Sequence, residues 1–385
     1  MSAVLDGIGL SPVVAIALGT ALLGGLAGWL IERSHFCTMG AISDWYLFGS
    51  QRRLRAWGLA IATALVLAQL AAATGLVPLA LSEPLGSAIE PVALLVGGVL
   101  FGIGMVLAGG CASRNLVRLG GGSLKALVVV LVLGVTAFAT QAGILAPAAE
   151  LLRGAASFAL DQPTQSLGAA LAVAGVGPAP ALDLALGLVL GAGLLFYVLK
   201  DPSFRRSRLD LQLGFGLGTL IALGFVLTGW LHGSSMVASS AAVGSPRDVA
   251  SLTFVAPIAE AQLWAMTGNG VWPGFGAALV VGTVLGAALS AVSAGRARIE
   301  TFGQRDDMIR HVSGGVLMGF GGISALGCTV GQGMTGLATL ALGSFLALLG
   351  IVLGAVLALR RLERGSWRAA LGLGGSAGLD PAGGA

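Results

Sequence analysis

The sequence predicts an all-α polytopic membrane protein of about nine transmembrane helices plus short non-spanning helices, arranged as an inverted 4+1+4 repeat. Three observations carry that expectation. Of the 385 residues 56% are hydrophobic and only 10% charged, whereas a soluble domain carries about 25% charged residues. So little polarity cannot cover a water-facing surface, which makes the lipid bilayer the solvent. Apolar runs near the ~20 residues needed to cross a bilayer recur along the whole length. Finally, one stretch is written twice. "GGVLFGIGMVLAGGC" at 97–111 returns as "GGVLMGFGGISALGC" at 314–328, with nine of fifteen positions identical and no gap.

The first run, 11–31, follows a start that holds Asp6 and no basic stretch, so it reads as a retained helix rather than a cleaved signal. Further spans are expected at 56–75, 92–110, 124–146, 181–199, 211–231, 275–295, 311–328 and 337–359. Basic connections lie at 51–55, 114–125, 200–210, 296–310 and 360–368, while 76–91 and 147–180 are acidic or proline-rich, with Glu83, Glu90, Glu150 and Asp161. The net charge of +4 is thus distributed as an orientation signal rather than as a nucleic-acid surface. Basic loops placed in the cytoplasm put the N-terminus in the periplasm and the C-terminus in the cytoplasm.

On this map the two repeat copies run in opposite directions, and "GWL" at 28–30 recurs inverted at 229–231. The expected organisation is a first half at 1–180, a connecting helix and basic loop at 181–210, a second half at 211–368 and a flexible tail at 369–385. Inverted repeats are the plan of many secondary transporters, with the site near the midplane. The plainer reading is close helix packing, since Gly98 and Gly102, like Gly315 and Gly319, have small-xxx-small spacing. Packing alone leaves the cysteine at the end of both copies unexplained. Residues 32–50, 232–250 and 250–266 are too short or too polar to cross, and broken segments of this kind point to a transport site.

The cysteines are Cys37, Cys111 and Cys328. A disulfide framework is not expected from an odd number in membrane segments. No metal ligand spacing accompanies them, and His35, His232 and His311 supply none. A lone membrane cysteine is usually a small apolar filler. Here, however, Cys37 and Cys328 both stand in Cys-Thr-x-Gly, and Cys111 and Cys328 both follow a glycine. Glycine lets a ligand approach the backbone, and free amide N–H groups at broken helix ends favour an anion. The chemistry points to a small, soft, negatively charged solute.

"RSHFCTMGAISD" (33–44), "GGCASRNLVRLGGGSLK" (109–125) and "GCTVGQG" (327–333) resemble the signature segments of the YeeE/YedE family of bacterial inner-membrane sulfur transporters. The resemblance covers about residues 11 to 359. It implies import of thiosulfate along a central path, with Cys37, Cys111 and Cys328 as successive S–H···S contacts and no cofactor. It also implies a cytoplasmic sulfur carrier of the TusA type as partner, and an hourglass built from inverted halves. Possible support along the path comes from Thr38, Gly110, Arg114, Gly327, Thr329 and Gln332. Arg114 and Arg118 either guide the anion or only orient the chain; Gln332 either donates to an oxyanion or caps a helix. Asp44 is expected as a helix cap, and Glu32 and Arg33 as a mutual pair. The GWL alignment sets Ala238 opposite Cys37, so the thiols do not follow the repeat. A selenium compound or another sulfur solute remains an alternative cargo. A membrane thiol-dependent sulfurtransferase or redox enzyme, or a docking scaffold, remains an alternative class.

Overall fold

A computed structural model describes residues 12–160, 162–230, 249–268 and 273–365. His232, Ala238 and the expected tail lie outside the described residues. In chain order the helices are α1 (Pro12–Ser34), α2 (Thr38–Phe48), α3 (Arg52–Ala73), α4 (Pro91–Leu107), α5 (Ala112–Gly120) and α6 (Leu124–Ala142). Then come α7 (Ala146–Gly154), α8 (Leu167–Val173), α9 (Ala179–Leu199), α10 (Pro202–Arg205) and α11 (Arg208–Trp230). The chain ends its described part with α12 (Val255–Thr267), α13 (Phe275–Ser293), α14 (Arg305–Ser324), a π-type segment (Gly331–Gly336) and α15 (Leu342–Arg364). The two-residue strands β1 (Ala88–Ile89) and β2 (Phe158–Ala159) pair antiparallel.

The protein is an all-α, multi-pass membrane protein. Eight helical stretches among the described residues are long and apolar enough to cross a membrane, one fewer than the sequence reading expects. The difference lies at 311–328. There a helix does form, but it starts earlier, at Arg305, and its first two turns carry Asp306, Asp307 and Arg310, so it is less apolar than the other eight. Its remaining length packs between α4 and α6. The last span also shifts, from 337 to Leu342, because the π-type segment and a left-handed Leu340 (φ 59°) occupy the preceding residues.

Close packing explains the glycines. Where α4 crosses α14, a Cβ on Gly97 would meet the Gly321 carbonyl oxygen at 2.8 Å, and one on Gly104 would meet that of Gly314 at 2.8 Å. The reverse contacts hold from Gly314 and Gly321. Gly98 and Gly102 face α15, and Gly315 and Gly319 face α6. Backbones this close rely on residues without side chains.

The helix pairings come in matched sets. α1 packs on α13 as α11 does on α3, and α4 packs on α15 as α14 does on α6. α2 lies against α3 and α15, as α12 lies against α13 and α6. α9, the connecting helix, packs on α3 and is largely exposed on its other faces.

Ion pairs bind the basic face. Arg52 reaches Asp210 at 2.6 Å, Arg55 reaches Asp201 at 2.8 Å, and Lys125 reaches Asp307 at 2.7 Å. In the α13–α14 loop, burial would raise the Glu300 carboxyl, but hydrogen bonds from Ser123 and Arg118 outweigh it and hold the group below its ordinary value. Glu32 does not pair with Arg33. It accepts 2.6 Å hydrogen bonds from Ser290 and Arg296, because adjacent residues on a helix point in different directions. Glu32→Gln is expected to cost about 1–3 kcal/mol, read as an earlier thermal transition of the detergent-solubilised protein. An unchanged transition would remove the α1–α13 clasp from the account.

Candidate functional site

Each cysteine stands at the same local construction. A helix ends when a residue donates its N–H back five positions, and the next residue is the cysteine. Phe36 N–H donates to Ile31 O at 3.1 Å, Gly110 N–H to Met105 O at 2.8 Å, and Gly327 N–H to Gly322 O at 2.7 Å. This six-to-one closure needs a left-handed residue just before it, supplied by His35 (φ 52°), Gly109 (φ 69°) and Leu326 (φ 56°). For His35 and Leu326 that backbone costs on the order of 1 kcal/mol or more. The cysteine then opens the next helical segment. Its carbonyl accepts from Ala41 (2.9 Å), Asn115 (3.0 Å) or Gln332 (2.8 Å). Three helix breaks therefore place three thiols at helix starts, where backbone N–H groups have no partner within the helix and the cysteine sulfur takes one of them.

Those breaks converge. The Cys37 thiol lies against the Cys111 thiol, and Thr329 lies beside Cys111. Ser113 Oγ is 3.3 Å from Cys111 Sγ, and Gly331 N–H donates to Cys328 Sγ at 3.3 Å. The backbone of Phe254, which opens α12 as Cys37 opens α2, approaches Cys328 in turn. All three cysteines are free thiols and buried. No group of three metal-ligating side chains occurs among the described residues.

The hydroxyl of Thr38, next to Cys37, is buried without a hydrogen-bond partner, as is Ser324 Oγ, while the buried hydroxyl of Thr329 is directed at the Cys111 thiol. A buried polar group left unpaired costs about 1–3 kcal/mol, so a hydroxyl such as that of Thr38 is free to donate to a bound solute. Thiols, hydroxyls and helix-start amides together offer neutral donors to an anion with one soft end and several hard oxygens.

Other expected residues take different places. Gln332 spends its side chain on the broken end of α14. Its Nε2 donates to Ala325 O and Leu326 O, and its Oε1 accepts from Ser344. Asn115 does the same for α4, donating to Gly110 O and Cys111 O. Sequence reading missed Asn115, although both amides stand four residues past a repeat cysteine. Gly110 and Gly327 belong to the closures themselves. Asp44 is not a cap: it lies within α2 and pairs with Arg53 at 3.3 Å. Arg118 pairs with Glu300 at 3.0 Å, and His311 stacks edge-on against Phe302 beside Asp307. Arg114 is half-buried on the first turn of α5.

Two relatives match nearly the whole chain. A protein of Spirochaeta thermophila named thiosulfate transporter TsuA is 28% identical over 340 residues, covering 86% of this chain and 95% of the relative. The protein of the same name from Escherichia coli K12 is 24% identical over 359 residues, covering 88% and 93%. Residues 33–357, which contain all three helix breaks and their cysteines, match the family described as sulphur transport. The chain belongs to that family.

Proposed function

We propose that this protein imports thiosulfate across a bacterial inner membrane, through the point where the three helix breaks meet. The observation that carries the reading is the convergence of Cys37, Cys111 and Cys328 with the buried hydroxyls of Thr38 and Thr329. The names of the two relatives support the cargo. The thiols donate S–H to the terminal sulfur, which carries much of the charge of thiosulfate, while hydroxyls and amides meet its oxygens. Neutral donors bind weakly enough to release the ion, and successive weak sites are what conduction requires. Gly110, Gly327, Asn115 and Gln332 act here as positioning residues that hold the breaks open.

The matched helix pairings support an inverted two-half architecture, in which α1 to α6 correspond in order to α11, α12, α13, α14, the π-type segment and α15. In that correspondence Phe254, not Ala238, takes the place of Cys37. The N-terminus lies in the periplasm and the C-terminus in the cytoplasm, with the ion-paired basic face inside. A soluble sulfur carrier of the TusA type would receive the sulfur there.

Bacteria without their own thiosulfate importers, supplied with this chain, are expected to accumulate radiolabelled thiosulfate and to grow on it as sole sulfur source. Growth on thiosulfate no better than with empty vector, with the protein present in the membrane, would remove this cargo and favour a selenium compound or another sulfur solute. The contact between Cys37 and Cys111 supports one further reading, a thiol-dependent sulfurtransferase. In it, a thiolate would take the outer sulfur of thiosulfate and release sulfite. Sulfite formation by the purified protein would mark that activity, and the transport reading expects none.

A further inference from the structure

A cavity of about 520 Å³ lies on the basic face, with Arg114, three residues past Cys111, in its lining. Its charged and titratable lining is Glu32, His35, Arg114, Arg118, Arg296, Arg298 and Glu300. Most of this charge is already matched. Arg296 holds Glu32 through two hydrogen bonds of 3.1 and 2.6 Å, and Arg118 holds Glu300 at 3.0 Å. Arg114 and Arg298 have no ion pair and no side-chain hydrogen bond among the described residues, and of the two Arg298 is exposed to water while Arg114 is half-buried. An orientation signal does not require this placement, since Arg205, Arg206 and Arg208 are exposed on the same face and suffice for it. A half-enclosed guanidinium without a partner is costly unless a counter-ion visits it. Its backbone N–H faces the Cys111 thiol, while its side chain lines the cavity. One residue thus joins the thiol cluster to the basic face.

We propose that this cavity is a second anion site, in which Arg114 receives a doubly charged tetrahedral oxyanion of the thiosulfate or sulfate type after it leaves the thiols. The assignment rests on the transport reading above for its place in the path, but not for its chemistry. The guanidinium fork matches two oxygens of such an anion, so the site reads the hard oxygens where the thiols read the soft sulfur. Sulfate therefore binds here although it lacks the terminal sulfur.

Two measurements on purified and reconstituted protein test it. In thiosulfate uptake, Arg114→Gln is expected to lower Vmax about tenfold or more with KM little changed, because release and not capture is impaired. Arg114→Lys restores part of the rate by restoring charge without the fork. Arg55→Gln, on the same face but outside the cavity, serves as the control and keeps the rate. In calorimetric titration with sodium sulfate, wild type binds and Arg114→Gln does not. Ile299→Glu places a repelling carboxylate at an exposed position of the cavity lining. It is expected to weaken sulfate binding even if Arg114→Gln fails to fold. Arg114→Gln with wild-type Vmax and wild-type sulfate binding would overturn the proposal, as would an Ile299→Glu protein that binds sulfate normally. If wild type does not transport thiosulfate yet binds sulfate through Arg114, the transport reading fails and the anion site stands.

Discussion

Cys111→Ala is expected to reduce thiosulfate uptake about 10- to 100-fold at unchanged membrane abundance. Cys111 is the thiol with the most neighbours of use to a ligand: Cys37, Ser113 and Thr329 all face it. A hydrogen bond to a charged group contributes about 1.5–3 kcal/mol, and each 1.4 kcal/mol is a factor of ten. The side chain removed is small, and the break that holds it is closed by backbone atoms and Asn115. The fold therefore survives the change while the contact does not. Cys111→Ser tests the chemistry more finely, because it keeps a donor but replaces a soft one with a hard one. An intermediate rate for Ser, below wild type and above Ala, would show that softness matters beyond hydrogen bonding. Uptake by Cys111→Ala equal to wild type would return this cysteine to the role of an apolar filler.

The largest effect on stability is expected from Gly286→Ala, on α13. A Cβ there would run into the carbonyl oxygen of Gly25 on α1, and the same clash recurs at Gly282 against Ala21 and at Gly28 against Thr283. Overpacking ordinarily costs about 1–3 kcal/mol. Here the obstacle is backbone on a facing helix, which cannot rotate away, so the cost should lie at or above the top of that range. The crossing also carries function: α1 delivers the chain to Cys37, and α13 ends at the Arg296 clasp on Glu32. Gly193→Ala is the matched control, since nothing lies within 4 Å of its Cβ direction on α9. That substitution should be neutral or stabilising by a few tenths of a kcal/mol up to about 1. Heating followed by size-exclusion chromatography separates the two. If Gly286→Ala remained monodisperse to the wild-type temperature, the α1–α13 approach would be looser than described.

Much of this architecture was legible in the residues because lipid imposes simple rules. Apolar runs of fixed length mark the helices, and basic loops mark one face. The duplicated glycines Gly97, Gly104, Gly314 and Gly321 turned out to meet each other at one crossing, which a repeat with opposite directions makes natural. Cys111 and Cys328 were legible as a pair because Gly110 and Gly327 announce the closure before them. Cys37 was harder. Its closure uses His35 in a left-handed conformation and Phe36, neither of which signals a helix end, and its contact with Cys111 is set by tertiary packing. The ninth expected span, at 311–328, is less plain than the others because α14 mixes a charged start with a buried, glycine-rich remainder. Asp44 and Glu32 were misassigned for a common reason. Local rules offered a nearby role, whereas Arg53 and Arg296 lie on other segments and win through geometry. Asn115 went unseen because an amide within "SRNLVR" has no motif of its own, and only the repeat register relates it to Gln332.

The central claim is that three thiols at converging helix breaks pass thiosulfate by its sulfur end. It is tested most directly by uptake of labelled thiosulfate into liposomes that contain only the purified protein. The account predicts saturable uptake that excess external sulfate leaves largely intact and that a Cys37→Ala, Cys111→Ala, Cys328→Ala triple variant loses. Undiminished uptake by the folded triple variant, or none by folded wild type, would contradict it.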